Sequence, residues 1–446
     1  MSLVRLLVLL LSALLAAGCE SSPWSRPRAD PAVNSGRLPA VSLGPPIGLC
    51  EQRIRLFKVA AGPDQAIHIL LVPNSGDKLR YSVVRAGKLF DGEMLPAVLQ
   101  SGEVLDAVVD RQGALHALVG KRHFELSQAD WKEVEGPGCR SFVPGGPNVA
   151  CLFELAAPDP RNKTRWDWFG FGGFGVGIIL PWVTNATKFG IAEYTSAGWA
   201  ERGIVDRASS WDTVYVDAVA SQAGDVEVVY RRLAYAFVDV SQLRYERFNA
   251  PGREAAPTPT ERVEALGADD ASWSLLGVSV EEFKSLFAMT VPGRFWGNPH
   301  IATDGVGRES VVLMADNNGA VWMRRIVHGM PEPARMLLDE KGFRRVRGLV
   351  ALGKGRMVAL LEESRTGWWA NPPQPMRLVV YWEGKWSAPI EVGATSHFDE
   401  SSLIAVSTDS VAVIGVDSEG HPFLRLVRVL PDPAAERDEA IAVPNR

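Results

Sequence analysis

The chain lacks most of the features that assign a function at sight. Among its 446 residues are only 4 cysteines, with no Cys-x-x-Cys pair and no His/Cys cluster at zinc-ligand spacing, so neither a metal site nor a resident cofactor is expected. Charge is nearly balanced, 47 Lys+Arg against 52 Asp+Glu for a formal net charge of -5. No basic field would concentrate a phosphate backbone, and nucleic acid is not an expected partner. A Gly-x-Ser-x-Gly elbow, a phosphate-cradling loop and a His-Glu-x-x-His helix are all missing, so no catalytic residue can be named. The one long apolar run, residues 6–17, is too short for a hydrocarbon core of ~30 Å, which takes about 20 residues.

That run follows a basic start ending at Arg5 and precedes the small residues Ala16-Ala17-Gly18, the layout of an export signal covering residues 1–18. The segment Leu15-Ala16-Ala17-Gly18-Cys19 resembles the lipobox of bacterial lipoproteins. The resemblance implies cleavage before Cys19, acylation of its thiol, and a lipid-anchored protein of the cell envelope. Glu20, rather than Asp, follows the cysteine, which by the same resemblance implies the outer membrane in a Gram-negative host. A plain exported protein is the alternative. Residues 20–48, rich in Pro, Ser, Gly and Arg and without apolar periodicity, read as a tether, leaving 49–446 as one domain. Of the three other cysteines, Cys139 and Cys151 are the candidate disulfide, twelve positions apart around Pro144-Gly145-Gly146-Pro147. Cys50 is left over, and three unpaired thiols are the alternative.

What the chain has in abundance is turns, with 42 Gly and 30 Pro. Apolar strands alternate with tight polar turns, as in Asp106-Ala107-Val108-Val109-Asp110, then Arg111-Gln112-Gly113, then Ala114-Leu115-His116-Ala117-Leu118-Val119. Second strands align at His68, His116, Glu227, Ser310, Val358 and Val413. Removing insertions at 158–174 and 267–297 leaves a period of about 48 residues, with blade three running through 150–155 and 176–180. Four short strands at that period indicate an all-β fold, a β-propeller of seven four-stranded blades, although a count of six or eight also fits, as do two stacked sandwiches. Ring closure could come from residues 37–41 or from 440–443. The Asp110 to His116 turn and Gly384-Lys385-Trp386-Ser387-Ala388-Pro389 resemble the repeats of sialidase-like propellers, with no complete Asp-box.

The insertion at 267–297, with a short helix at 280–287, and the segment 367–375 are expected on one rim. They would bring Trp273, Phe295, Trp296, Trp368 and Trp369 together as a candidate binding surface; the alternative is that these residues pack as a satellite core. The Gly/aromatic stretch Trp166 to Phe174 is expected on the opposite face, where it could lie on lipid, dock a partner or cover the channel. His68 and His116 are read as packing positions between blades. The functional expectation is a lipid-anchored, non-catalytic binding or scaffolding module for a protein or glycan partner. Two alternatives stand beside it. One is a sialidase-like glycan hydrolase, which would need three convergent arginines and a Tyr-Glu pair. The other is an accessory subunit of an outer-membrane assembly complex, whose Ala-Leu-Asp repeat is not reproduced here.

Overall fold

The computed structural model describes residues 40–430, apart from internal stretches of which 156–164, 172–175, 183–187, 207–211, 235–239, 251–297, 305–308, 316–319, 339–342, 364–373 and 396–400 are the longest. Within the strands at 165–171 and 176–182 it describes the backbone alone.

Why the second strand of every repeat is apolar throughout is clear in blade one. Ile67–Pro73 is buried from end to end. Ile67, Ile69 and Leu71 face one way, against Ala412, Ile414 and Leu424, while Leu70 and Val72 face the other, against Leu115, Ala117 and Phe124. A strand buried on both faces has no polar alternation to show. Each such Leu, Ile or Val contributes about 1.5–3 kcal/mol by leaving water, and a comparable apolar cluster fills every seam around the ring.

The described residues form a seven-bladed β-propeller of antiparallel sheets, the inner strands touching in order around a closed ring. From the axis outward, blade one is Ile54–Ala61, Ile67–Pro73, Arg80–Arg85 and Lys88–Asp91; blade two is Leu105–Val109, Leu115–Val119, Arg122–Ser127 and Asp130–Val134; blade three is Cys139–Val143, Ala150–Glu154, Phe189–Thr195 and Gly198–Ile204. Three strands of blade four are described, Asp212–Ala220, Val226–Ala234 and Val240–Phe248. Blade five comprises His300–Thr303, Glu309–Ala315 and Val321–Val327, with an outer strand broken into Met330–Pro331 and Arg335–Leu338. Blade six comprises Phe343–Leu352, Arg356–Glu363 and Gln374–Trp382, with Lys385–Trp386 and Ile390–Thr395 outside. Blade seven is Ser402–Ala405, Ser410–Val416 and Pro422–Leu430, and its outer strand is Ala40–Gly48 from the other end of the chain.

Three expectations change. Ala40–Gly48 is paired strand, so a tether can extend no further than residue 39, and closure runs through this strand. The third strand of blade three is Phe189–Thr195; Val176–Trp182 instead pairs with Arg165–Phe171 in a separate hairpin. The insertion therefore occupies 156–187 rather than 158–174. It leaves blade three between its second and third strands, an end shared with the gap after Glu363 in blade six, so it does not emerge from the opposite face.

Candidate functional site

Inner-strand side chains at one level of the channel wall join several of the blades to their neighbours. Counting back four residues from the amide that closes the first turn of a blade gives Lys58, Asp106, Asp217, His300 and Ser402. Lys58 Nζ lies 3.3 Å from Asp106 Oδ1, and Asp106 Oδ2 accepts a hydrogen bond of 2.7 Å from the amide of Phe142 in blade three. Asp217 Oδ2 accepts one of 2.9 Å from the amide of Ile301 in blade five and lies 3.7 Å from His300 Nδ1. Enclosure by the inner strands pushes the Asp217 carboxyl up and the His300 imidazole down, each opposed by the attraction of the other. Across blade six, Arg347 Nε donates to Glu362 Oε2, which also accepts from Ser401. The belt is polar, and the contacts of Lys58, Asp106, Asp217 and His300 run between blades.

A second set of polar groups sits in the seams. His68, His116 and Glu227 each face the following blade. His68 Nδ1 is 2.7 Å from the Tyr81 hydroxyl, and Glu227 accepts from Ser310 Oγ across the seam to blade five. Ser310 and Val413 fall one position out of the aligned register and face the preceding blade. In blade five the first turn is one residue longer, closing from Asp304 to Glu309 where blade two closes from Asp110 to Ala114. In the seam between blades two and three, His116 Nδ1 and His123 Nε2 are 2.9 Å apart, and Phe142, Tyr194 and Trp199 stand edge-on around His123. Burial pushes His123 down to about 3 and lowers His116, against which the Asp110 carboxylate, 3.5 Å from His116 Nε2, works in the opposite direction. Cys139 and Cys151 are joined in the same seam, with Cα atoms 5.8 Å apart.

Glycine is required where blade three meets blade four. Gly145 has φ +84°, and a Cβ there would lie 2.3 Å from the carbonyl oxygen of Ala220, with which it forms a parallel bridge.

Of the residues singled out in the sequence, Cys19, Trp273, Phe295, Trp296, Trp368, Trp369 and the expected helix at 280–287 lie outside the described residues. At the two ends of the 156–187 insertion the amide of Leu155 donates to the carbonyl of Lys188, at the same end of the molecule as Glu363 and Gln374. Both aromatic-rich segments, one carrying Trp166, Trp168, Phe169 and Phe171 and the other Trp368 and Trp369, therefore interrupt the second turn of their blade and leave from one face. Sequence reasoning missed the Asp217-His300 pair because it is made between blades, and the His116-His123 pair because it is made diagonally across one hairpin whose strand register was not assigned.

A hydrolase of sialidase-like shape would need its tyrosine and glutamate together at the channel mouth. Tyr381 donates to Glu309 Oε1 with Arg325 Nε 2.8 Å from the same oxygen, but the group lies in the seam between blades five and six. Burial there raises the phenol above its ordinary range, the reverse of an activated nucleophile. Arg356 donates to the carbonyl of Thr408 and Arg202 to those of Gly224 and Asn249. Among the described residues, no group of three or more His, Cys, Asp and Glu is placed to hold a metal ion.

No family model and no curated protein matches the chain. Solved structures do. The polysaccharide lyase Uly1 is similar over 92% of this chain and 96% of its own, at 8% identity and a TM-score of 0.51. The β-propeller domain of the Trilobed protease from Pyrococcus furiosus covers 85% and 99%, at 9% identity and 0.45. The Hadza microbial sialidase Hz136 covers 86% and 68%, at 9% identity and 0.41. At these identities the likeness is one of fold.

Proposed function

We propose that the chain is a lipid-anchored, non-catalytic binding module of the cell envelope, and that it engages a protein or glycan partner through the face from which its insertions leave. One observation carries the reading: two aromatic-rich segments, 156–187 and 364–373, interrupt equivalent turns of blades three and six on a single face. Aromatic side chains on loops above a rigid scaffold supply large contact area at low entropic cost, whether the ligand is a sugar ring or a protein surface. Among the described residues, Lys58, Asp106, Asp217 and His300 of the inner strands are engaged between blades, which argues against the hydrolase reading.

Replacing both Trp368 and Trp369 by alanine tests the proposal. The expected result is loss of partner capture by the full chain extracted from membranes, with thermal unfolding close to that of the unaltered protein. A large drop in unfolding temperature would make these residues a satellite core and end the binding assignment.

A further inference from the structure

Two described features lie at opposite ends of the same blades. The outer strand of blade seven enters at Ala40, which pairs with Leu430, and the amide of Val429 donates to the carbonyl of Asp409 in the first turn of that blade. Ala40 is therefore at the face of the first turns. Gly48 pairs with Phe423 at the other end, where the second turns lie and where the segments at 156–187 and 364–373 depart. The chain upstream of Ala40 thus emerges on the face turned away from those segments.

We propose that the protein sits with its first-turn face toward the membrane and its insertion-bearing face toward the aqueous phase, so that the partner of that rim approaches from water and not from the anchoring bilayer. The proposal rests on the lipid-anchor reading of Cys19. Twenty residues separate Cys19 from Ala40, and on the tether reading a coil of that many residues has a root-mean-square span of about 25 Å. Such a tether holds its point of entry near the headgroups. Three of the turns on that side, Pro63-Asp64-Gln65, Arg111-Gln112-Gly113 and Gln222-Ala223-Gly224, are short and carry no large apolar side chain, while the blade-five turn His328-Gly329 ends at the exposed Met330. The segment that carries the hairpin Arg165–Phe171 and Val176–Trp182, for which headgroup contact was one expectation, departs from the other end of its blade, at Leu155 and Lys188.

Blade seven offers a matched pair of exposed reporters, Thr408 in its first turn and Ser418 in its second. With Cys50 replaced by serine, Thr408→Cys and Ser418→Cys variants of the full acylated chain are labelled with a fluorophore and mixed with phosphatidylcholine vesicles containing headgroup-nitroxide lipid. Co-flotation reports the anchor, and quenching reports orientation. The expected result is co-flotation of both, abolished by Cys19→Ser, with quenching several-fold stronger at position 408. Co-flotation with equal or stronger quenching at 418 overturns the orientation and leaves the anchor standing. Failure of the unaltered chain to float removes the anchor reading and the orientation with it.

Discussion

His116 and His123 share one hydrogen bond, Nδ1 to Nε2 at 2.9 Å, with both rings buried in the seam. One ring must donate and the other accept, so the pair is complete only when one proton lies between the facing nitrogens. Protonating both would set two donors against each other next to Phe142, Tyr194 and Trp199, with Asp110 and Glu125 the carboxylates that bear on His116.

Acid should therefore open this seam. His123 has an ordinary value of 6.5 and is held at about 3 in the fold, so the folded chain binds fewer protons than the unfolded chain between those limits. Its contribution is fully present above pH 6.5 and is lost as pH falls, with a slope of up to about 1.4 kcal/mol per pH unit for one histidine. Urea unfolding of His123→Leu is expected to show a smaller pH slope between 6.5 and 4.5, and an unchanged slope would contradict the assignment.

The belt at the channel wall makes a different prediction. Asp106→Ala leaves the Phe142 amide without its acceptor and should cost about 1–3 kcal/mol in guanidinium unfolding. Asp106→Asn keeps an oxygen at that place and should recover most of the loss. If both variants lose equally, Asp106 stabilises the wall through its attraction to Lys58 and not as the acceptor for Phe142.

At the root of the blade-three insertion, Lys188 Nζ and Asp206 Oδ2 are 3.4 Å apart and almost wholly buried, and the Asp206 amide donates to Glu246 Oε2 at 3.0 Å. Burial pushes Glu246 up to about 7 from an ordinary 4.5, so the folded chain binds more protons in that interval and loses stability as pH rises through it. Glu246→Gln should stabilise the protein at pH 8 by at most about 3 kcal/mol, reduced by solvent screening, and change little below pH 4.5. Melting curves that run parallel for the two proteins from pH 4.5 to 8 would refute this.

The propeller was legible because its second strands are buried on both faces and recur at a nearly fixed interval between Gly- and Asp-rich turns, a pattern that survives large insertions. Blade three misled for a physical reason. Val176–Trp182 is apolar and is indeed a strand, yet its partner is Arg165–Phe171, while the blade is completed by Phe189–Thr195, whose Glu193 and Tyr194 make it look less like a buried strand. Ala150–Glu154 is the second strand of its blade, between Cys139–Val143 and Phe189–Thr195, and that puts the insertion in the second turn. The first-turn length in blade five displaced Ser310 by one residue, enough to turn its side chain from one neighbouring blade to the other. Charged groups such as Asp217 and His300 were opaque because their partners are supplied by register and ring closure, which local sequence does not encode.

The central claim is that binding takes place on the face carrying the segments 156–187 and 364–373. Its most direct test is site-specific photocrosslinking in intact cells that make the full chain. A photoreactive residue replaces Trp368 in one variant and Gln112, on the first-turn face, in another. The account predicts discrete high-mass adducts from position 368 and none from position 112; adducts from 112 alone, or equally from both, would contradict it.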